Sequence, residues 1–178
     1  MNKMEDPNYW LERMIQARVT SNDHQAVFHT DLATWNNIQK TQTTVLTNLI
    51  RKGSTVVDVG CGAGYLMECM PYGVTYVGVD LNPYFIAWAQ RRYEKEEWAK
   101  FYVVDAKDMS QYADNQFDWS VSRSVIGCCG IHAGYETANK MHSEIIRIGK
   151  QTVFLGYDPA DQFTLGNNPD HVLTLGAI

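Results

Sequence analysis

The chain has 178 residues, 45% of them hydrophobic and 20% charged, which is ordinary for one soluble globular domain. Its 15 Lys and Arg residues stand against 20 Asp and Glu residues without a dense basic stripe, which argues against long nucleic acid as a partner. No apolar run approaches the roughly 18 residues of a membrane span, and the first residues lack the apolar core of a signal peptide.

The first predicted elements are an N-terminal segment and a long helix. Residues 1–29 have mixed polarity, and we interpret them as a lid on the remaining domain, residues 30–178. Thr30 or Asp31 can cap the start of the helix, and Gly53 can end it. Apolar residues recur at helical spacing between them, although the polar Gln42 interrupts the stripe.

Strand-like and helix-like segments then alternate along the chain. The strands are predicted at residues 54–60, 75–80, 100–106, 117–124 and 151–156, and the helices at 65–70, 83–98 and 135–150. Because short links join them, we expect a parallel, doubly wound sheet in a single domain. Two weak strand patterns in the tail predict either a hairpin that completes a seven-stranded sheet or a truncated edge.

Three alternating glycines, in "VVDVGCGAGY", follow the first predicted strand. Gly60, Gly62 and Gly64 stand where a doubly wound sheet binds its ligand, and glycine lets the backbone turn sharply and approach that ligand closely. The dinucleotide fingerprint would need a glycine where Tyr65 stands, and the lysine of a phosphate-binding P-loop is missing. The loop therefore predicts a nucleoside less anionic than a pyrophosphate.

Three acids end, or nearly end, successive predicted strands: Asp58, Asp80 and Asp105. Asp80 can accept hydrogen bonds from two ribose hydroxyls, unless it caps the next helix, a role that Asn82 can fill instead. Asp105 can accept from an adenine amino group, while the backbone N–H of Ala106 donates to a ring nitrogen. Parallel strand ends meet at one edge, so the three acids predict a ligand with a hydroxyl pair, an adenine amine and an ammonium group.

Together these motifs resemble those of class I S-adenosylmethionine (SAM)-dependent methyltransferases of the small-molecule type, over about residues 30–156. The resemblance implies a Rossmann-like, mostly parallel sheet of seven strands, SAM as cofactor and S-adenosylhomocysteine as product. It places the glycine loop under the methionine part of SAM, Asp58 at its amino group, Asp80 at the ribose, and Asp105 with Ala106 at the adenine. Further cofactor contacts are expected from Cys61, Leu81 and Ser122, the last in "FDWSVSRSVI", a stretch similar to the strand that lines the family's methyl-transfer site.

The sequence departs from the family pattern on the acceptor side. The family commonly follows its fourth strand with an acid–histidine pair, but Gly127, Cys128 and Cys129 stand there in this chain. His132 in the same loop is a candidate general base, or alternatively an exposed or helix-capping histidine. Arg123 is a candidate for holding a substrate carboxylate or phosphate, or for pairing with a nearby Glu. In the N-terminal segment, Tyr9 and Trp10 are candidates for substrate contact.

The expected function is in-line transfer of the SAM methyl group to a small-molecule acceptor. Two alternatives stay open: a SAM-binding protein without methyl transfer, either a sensor or a partner-dependent subunit, and a methyltransferase acting on protein or RNA. The four cysteines lack a metal-binding spacing, so we expect reduced thiols, no metal site and a cytoplasmic protein. A monomer or homodimer without membrane association is expected.

Overall fold

The computed structural model describes residues 8, 12, 15, 32–126, 134–157 and 172–176. The elements in chain order are α1 (Leu32–Leu49), β1 (Thr55–Val59), a 3-10 helix (Tyr65–Cys69), β2 (Thr75–Asp80), α2 (Pro83–Arg92), β3 (Ala99–Val103), β4 (Phe117–Arg123), α3 (Tyr135–Ile148), β5 (Gly149–Tyr157) and β6 (Val172–Gly176). Of the N-terminal segment interpreted as a lid, only Asn8, Glu12 and Ile15 are described, and they are helical. Of the two strand patterns in the tail, "QFTLG" at 162–166 lies outside the described residues.

The strands form one sheet in the order β3-β2-β1-β4-β5-β6, and every neighbouring pair is parallel. The chain runs outward from β1 to β3 on one side and from β4 to β6 on the other. This confirms the predicted doubly wound, Rossmann-like sheet. Six strands are present in the described part of the chain, and β6 pairs parallel with β5, which matches a truncated edge rather than an added antiparallel hairpin.

The strands carry apolar residues on both faces because helices cover both sides of the sheet. On one face, Leu46 and Ile50 at the end of α1 pack with Val56 of β1 and Val121 of β4. On the other face, the buried residues of α3 pack against strand residues that point away from α1, among them Val57 and Val59 of β1. None of the helices in the described ranges has both the length and the apolar character needed to cross a membrane.

Helix α2 shows what the sequence predicted well and what it did not. Its start is as expected: Pro83 occupies the first turn, and the Asn82 side chain accepts the backbone N–H of Tyr84 at 2.9 Å. Its end at Arg92 comes before the predicted residue 98. Backbone turns over the next residues lead instead into β3, and within these turns the Trp98 indole N–H donates to Glu96 at 2.7 Å.

Candidate functional site

The candidate site lies at the carboxyl edge of the sheet, where the strand order reverses beside β1. In the strand register Asp58 stands opposite Gly78 of β2 and Val121 of β4. Beyond β1 the chain folds over the end of β2, because the backbone N–H groups of Gly60 and Cys61 both donate to the carbonyl of Val79, at 2.8 and 3.0 Å. The glycine loop therefore sits at the position where such sheets bind ligands.

The glycine loop needs its glycines for reasons within the protein itself. Gly60, Gly62 and Gly64 have φ angles of 76°, 54° and 82°, in the left-handed region that other residues rarely adopt. A Cβ on Gly60 would also lie 2.2 Å from a methyl carbon of Val125, and one on Gly64 would lie 2.8 Å from the ring of Tyr93. The contact of this loop with a ligand stays a prediction, but backbone conformation and internal packing already require two of its glycines.

Asp80 at the end of β2 connects the loop to the start of α2. Its Oδ2 accepts the backbone N–H of Gly62 at 2.9 Å, and its Oδ1 accepts that of Asn82 at 2.8 Å. Burial raises the pKa of Asp80, and these two hydrogen bonds oppose the rise. Because Asn82 caps α2, Asp80 is not needed for that role. Each carboxylate oxygen keeps a second lone pair that can accept a hydroxyl of a ligand.

Asp58 is a buried acid in β1, and only 1% of its surface is exposed. The hydroxyl of Tyr76 donates to its Oδ2 at 2.5 Å, whereas its Oδ1 has no hydrogen-bond partner among the described residues. Burial raises the pKa of Asp58 to about 6, although the Tyr76 hydrogen bond and the charge of Arg123 lower it. A buried carboxylate oxygen without a donor is costly, so an ammonium group from a ligand would suit this position.

Arg123 at the end of β4 is buried and faces helix α1. Its Nη1 donates to Gln39 Oε1 and Gln42 Oε1, both at 2.9 Å, and its guanidinium lies 5.3 Å from the ring centroid of Trp35. Sequence analysis missed this cluster. The available signal was the polar Gln42, which interrupts the apolar stripe of α1 because it binds a buried cation. The proposed contact of Arg123 with substrate stays a prediction.

The other predicted cofactor residues lie around the same edge. Asp105, two residues beyond β3, accepts the backbone N–H of Lys107 at 2.9 Å and is half-buried, as is Ala106. The adjoining Val104 N–H donates to the Asp80 carbonyl at 3.0 Å, so this segment runs beside the end of β2. Ser122 is buried, and its hydroxyl donates to the Val59 carbonyl at 3.0 Å, which ties β4 to β1.

Cys61 and Leu81 differ in exposure. The Cys61 thiol is buried and donates to the Gly62 carbonyl at 3.5 Å, and burial raises its pKa well above the usual range. Leu81 exposes 54% of its surface next to Asp80. Cys61 and Cys69 form no disulfide, and the described ranges contain no cluster of three metal-binding side chains.

The remaining residues of the predicted acceptor side belong to the N-terminal segment and to the stretch that follows β4. Tyr9, Trp10 and His132 lie outside the described residues, as does Cys128 with its neighbour Cys129. Their predicted roles therefore stay predictions.

Comparison with known proteins identifies the family. The family model described as "methyltransferase domain" matches residues 57–155, which is more than half of the chain. A search of the curated proteins found no match to the chain. A Methanococcus maripaludis protein assigned as a SAM-dependent methyltransferase is 15% identical, with a TM-score of 0.61 over 85% of this chain and 64% of that one. The YcgJ protein from Bacillus subtilis is 19% identical, with a TM-score of 0.57 over 70% and 53% of the two chains.

A third similar structure is a complex between the Haloferax volcanii Trm112 methyltransferase activator and a protein assigned as a methyltransferase. It is 25% identical, with a TM-score of 0.56 over 69% of this chain and 53% of that one. The chain thus spans between about half and two-thirds of the length of these three structures. Because the family model matches more than half of it, the chain belongs to the methyltransferase domain family. Its strand order and its structural matches show that it has the fold of class I SAM-dependent methyltransferases.

Proposed function

We propose that this chain binds SAM at the carboxyl edge of its sheet and catalyses in-line transfer of the methyl group to a small molecule. The observation that best supports SAM is the Oδ1 atom of Asp58, a buried carboxylate oxygen that lacks a donor among the described side chains. The amino group of SAM is a cation with several N–H donors. This ammonium group suits a buried carboxylate better than the neutral 5′-hydroxyl of a plain nucleoside would, because hydrogen bonds between charged groups are stronger.

The residues around the edge would divide the cofactor between them. Asp58 would hold the amino group, Asp80 the ribose hydroxyls, and Asp105 with the Ala106 backbone the adenine. The glycine loop from Gly60 to Gly64, which includes Cys61, would lie under the methionine part. Leu81 and Ser122 would make further contacts with the cofactor. Asp80 suits its part because both of its oxygens are already fixed in place by backbone N–H groups, which leaves their remaining lone pairs directed by the fold.

When bound, SAM supplies a methyl group that its positively charged sulfur already activates. The main work of the protein is therefore to align the acceptor with that methyl group and to exclude water, and such alignment can contribute roughly 7–11 kcal/mol. Asp58 and Asp80, fixed by tyrosine and backbone donors, would contribute by holding SAM in one orientation toward the acceptor.

On the acceptor side we propose His132 as general base, Arg123 as an anchor for an anionic substrate group, and Tyr9 with Trp10 as aromatic substrate contacts. A base is needed only for acceptors that must lose a proton, such as a hydroxyl or a protonated amine, and it adds about 10²–10⁴ in rate. The role of Arg123 would require its guanidinium to reach the substrate from its position beside α1, where its Nη1 donates to Gln39 and Gln42.

The second candidate is a SAM-binding subunit that depends on a partner protein. Two observations favour it: one structurally similar protein occurs in a complex with a methyltransferase activator, and the edge strand β3 exposes about half of Tyr102 and of Val103. The unpaired backbone groups of an edge strand can pair with a strand from another protein, and exposed apolar side chains add contact area to that pairing. A methyltransferase that acts on a protein or on RNA is the remaining alternative.

Calorimetric titration and a turnover assay test the proposal. The purified chain is titrated with SAM, S-adenosylhomocysteine and NAD, and is then incubated with methyl-labelled SAM and a metabolite extract. We expect micromolar binding of the first two ligands, no binding of NAD, and label in a small molecule. Binding without transfer would favour the partner-dependent subunit, whereas NAD binding without SAM binding would refute the proposal.

A further inference from the structure

Tyr76 is a buried polar residue in β2, a strand predicted from its mostly apolar, β-forming residues. It is the second residue of β2, and none of its surface is exposed. Its ring packs against two aromatic rings, Trp98 with centroids 6.4 Å apart and Phe101 with centroids 5.8 Å apart. These contacts hold the ring in place, so the hydroxyl has a fixed position within the interior.

The partner of this hydroxyl is the acid that the proposed function assigns to the amino group of SAM. Tyr76 lies opposite Val56, two residues before Asp58 on the same face of β1, and its hydroxyl donates to Asp58 Oδ2. The second oxygen, Oδ1, is the one without a donor among the described residues. The hydrogen bond therefore determines which oxygen of the carboxylate is left for a ligand.

The tyrosine also affects the charge of Asp58. A hydroxyl that donates to a carboxylate favours the ionised form, the form that binds an ammonium group. Several ionisable groups act on Asp58 or are acted on by it: Arg123 from β4, Asp80 from the end of β2, the Cys61 thiol from the glycine loop and the Cys69 thiol from the 3-10 helix. Among them the only cation is Arg123, whose Nη1 is engaged by two glutamines.

We propose that Tyr76 is a positioning residue of the SAM site: its hydroxyl holds the Asp58 carboxylate so that Oδ1 receives the amino group of the cofactor. This inference rests on the proposed function. It assigns Tyr76 no contact with the cofactor and no part in the methyl transfer itself.

The test compares two ligands that share a nucleoside. S-adenosylhomocysteine carries the amino group, whereas 5′-methylthioadenosine lacks the whole amino-acid portion. Calorimetry on Tyr76→Phe should show about tenfold weaker binding of S-adenosylhomocysteine, with methylthioadenosine unchanged within about twofold. An unchanged affinity for S-adenosylhomocysteine would overturn the inference, and so would an equal loss for both ligands. If the wild-type chain binds neither ligand, the proposed function itself fails.

Tyr93→Phe is the matched control. Tyr93 is also a buried tyrosine that stacks on Phe101, with centroids 5.7 Å apart, but its hydroxyl donates to Glu68 at 2.7 Å instead of to Asp58. Loss of this hydroxyl should leave both ligand affinities within about twofold of the wild-type values. A selective loss of S-adenosylhomocysteine binding in Tyr93→Phe would assign the effect to the aromatic cluster and overturn the inference.

The pH profile separates positioning from a purely structural role. The pKa of Asp58 is about 6, so wild-type affinity for S-adenosylhomocysteine should fall as the pH drops through that value, while methylthioadenosine affinity stays level. In Tyr76→Phe the fall should begin at higher pH, because a contribution that lowers this pKa is lost. Should the variant not fold, the wild-type profile decides: a level S-adenosylhomocysteine profile overturns the inference.

Discussion

The carboxylate of Asp80 accepts the backbone N–H of Gly62 at 2.9 Å, so the end of β2 directly holds the middle of the glycine loop. The other oxygen of Asp80 accepts the N–H of Asn82, at the start of α2. One acid therefore joins three segments of the site, and the residue assigned to the ribose also organises the loop assigned to the methionine part. A substitution at this position acts on both.

Substitution of Asp80 should affect binding and stability to different degrees. Asp80→Asn keeps one acceptor oxygen and the shape of the side chain, so we expect SAM affinity to fall at least about tenfold, with a modest loss of stability. Asp80→Ala leaves two backbone N–H groups without their partner. Its free energy of unfolding should therefore be about 2 kcal/mol lower than that of Asp80→Asn. Calorimetry and urea denaturation measure the two effects. The control is Asp118→Asn, because the Asp118 carboxylate also accepts a backbone N–H, that of Thr55 at 2.8 Å, but at the opposite edge of the sheet. Undiminished SAM affinity in both Asp80 variants would contradict the ribose assignment.

Gly60→Ala should destabilise the protein far more than Gly53→Ala. Both glycines have positive φ angles, 76° and 87°, so both variants incur the left-handed backbone cost of about 1–2 kcal/mol. Only at Gly60 would the new Cβ lie 2.2 Å from Val125, whereas nothing stands within 4 Å of the corresponding atom at Gly53. Chemical denaturation compares the two variants. Equal losses would show that the loop does not pack as described.

Arg123 and Gln42 should be energetically coupled. Either single substitution, Arg123→Leu or Gln42→Leu, removes one partner of a buried hydrogen bond of 2.9 Å. A double-mutant cycle by denaturation should therefore give a coupling energy of about 0.5–3 kcal/mol. Additive losses would contradict the direct contact, and a folded Arg123→Leu variant that keeps full turnover would remove Arg123 from the substrate proposal.

The free energy of unfolding of the ligand-free protein should carry a contribution from Asp58 that falls as pH rises. The pKa of Asp58 is about 6 in the folded state against an ordinary value of 3.8, so its stabilising contribution is complete below pH 4 and is lost through pH 6. Over that window the loss is about 3 kcal/mol. Asp58→Asn cannot ionise and should lack this slope. If the free energies of unfolding of the two proteins changed in parallel with pH, the raised pKa of Asp58 in the folded protein would be contradicted.

The sequence predicted the elements whose signals are local. Strand β2 matches its predicted bounds of 75–80, and Asn82 caps α2 as anticipated. The doubly wound order followed from the alternation of strands and helices. The family motifs also predict which part of SAM each acid would contact.

Contacts between distant segments could not be predicted in the same way. The sequence shows Gln42 only as a break in the apolar stripe of α1, because its partner Arg123 lies 81 residues away. Tyr76 counted as one more residue of a β-forming run, since nothing local shows that its hydroxyl reaches Asp58. The early end of α2 similarly depends on turns that lead into β3.

The most direct test of the account is a crystal structure of the chain with S-adenosylhomocysteine. We predict that its amino group lies within hydrogen-bond distance of Asp58 Oδ1 and that its ribose hydroxyls lie at Asp80. An adenosyl group bound elsewhere, or a different nucleotide held against the bend from Gly60 to Gly64, would contradict the central claim.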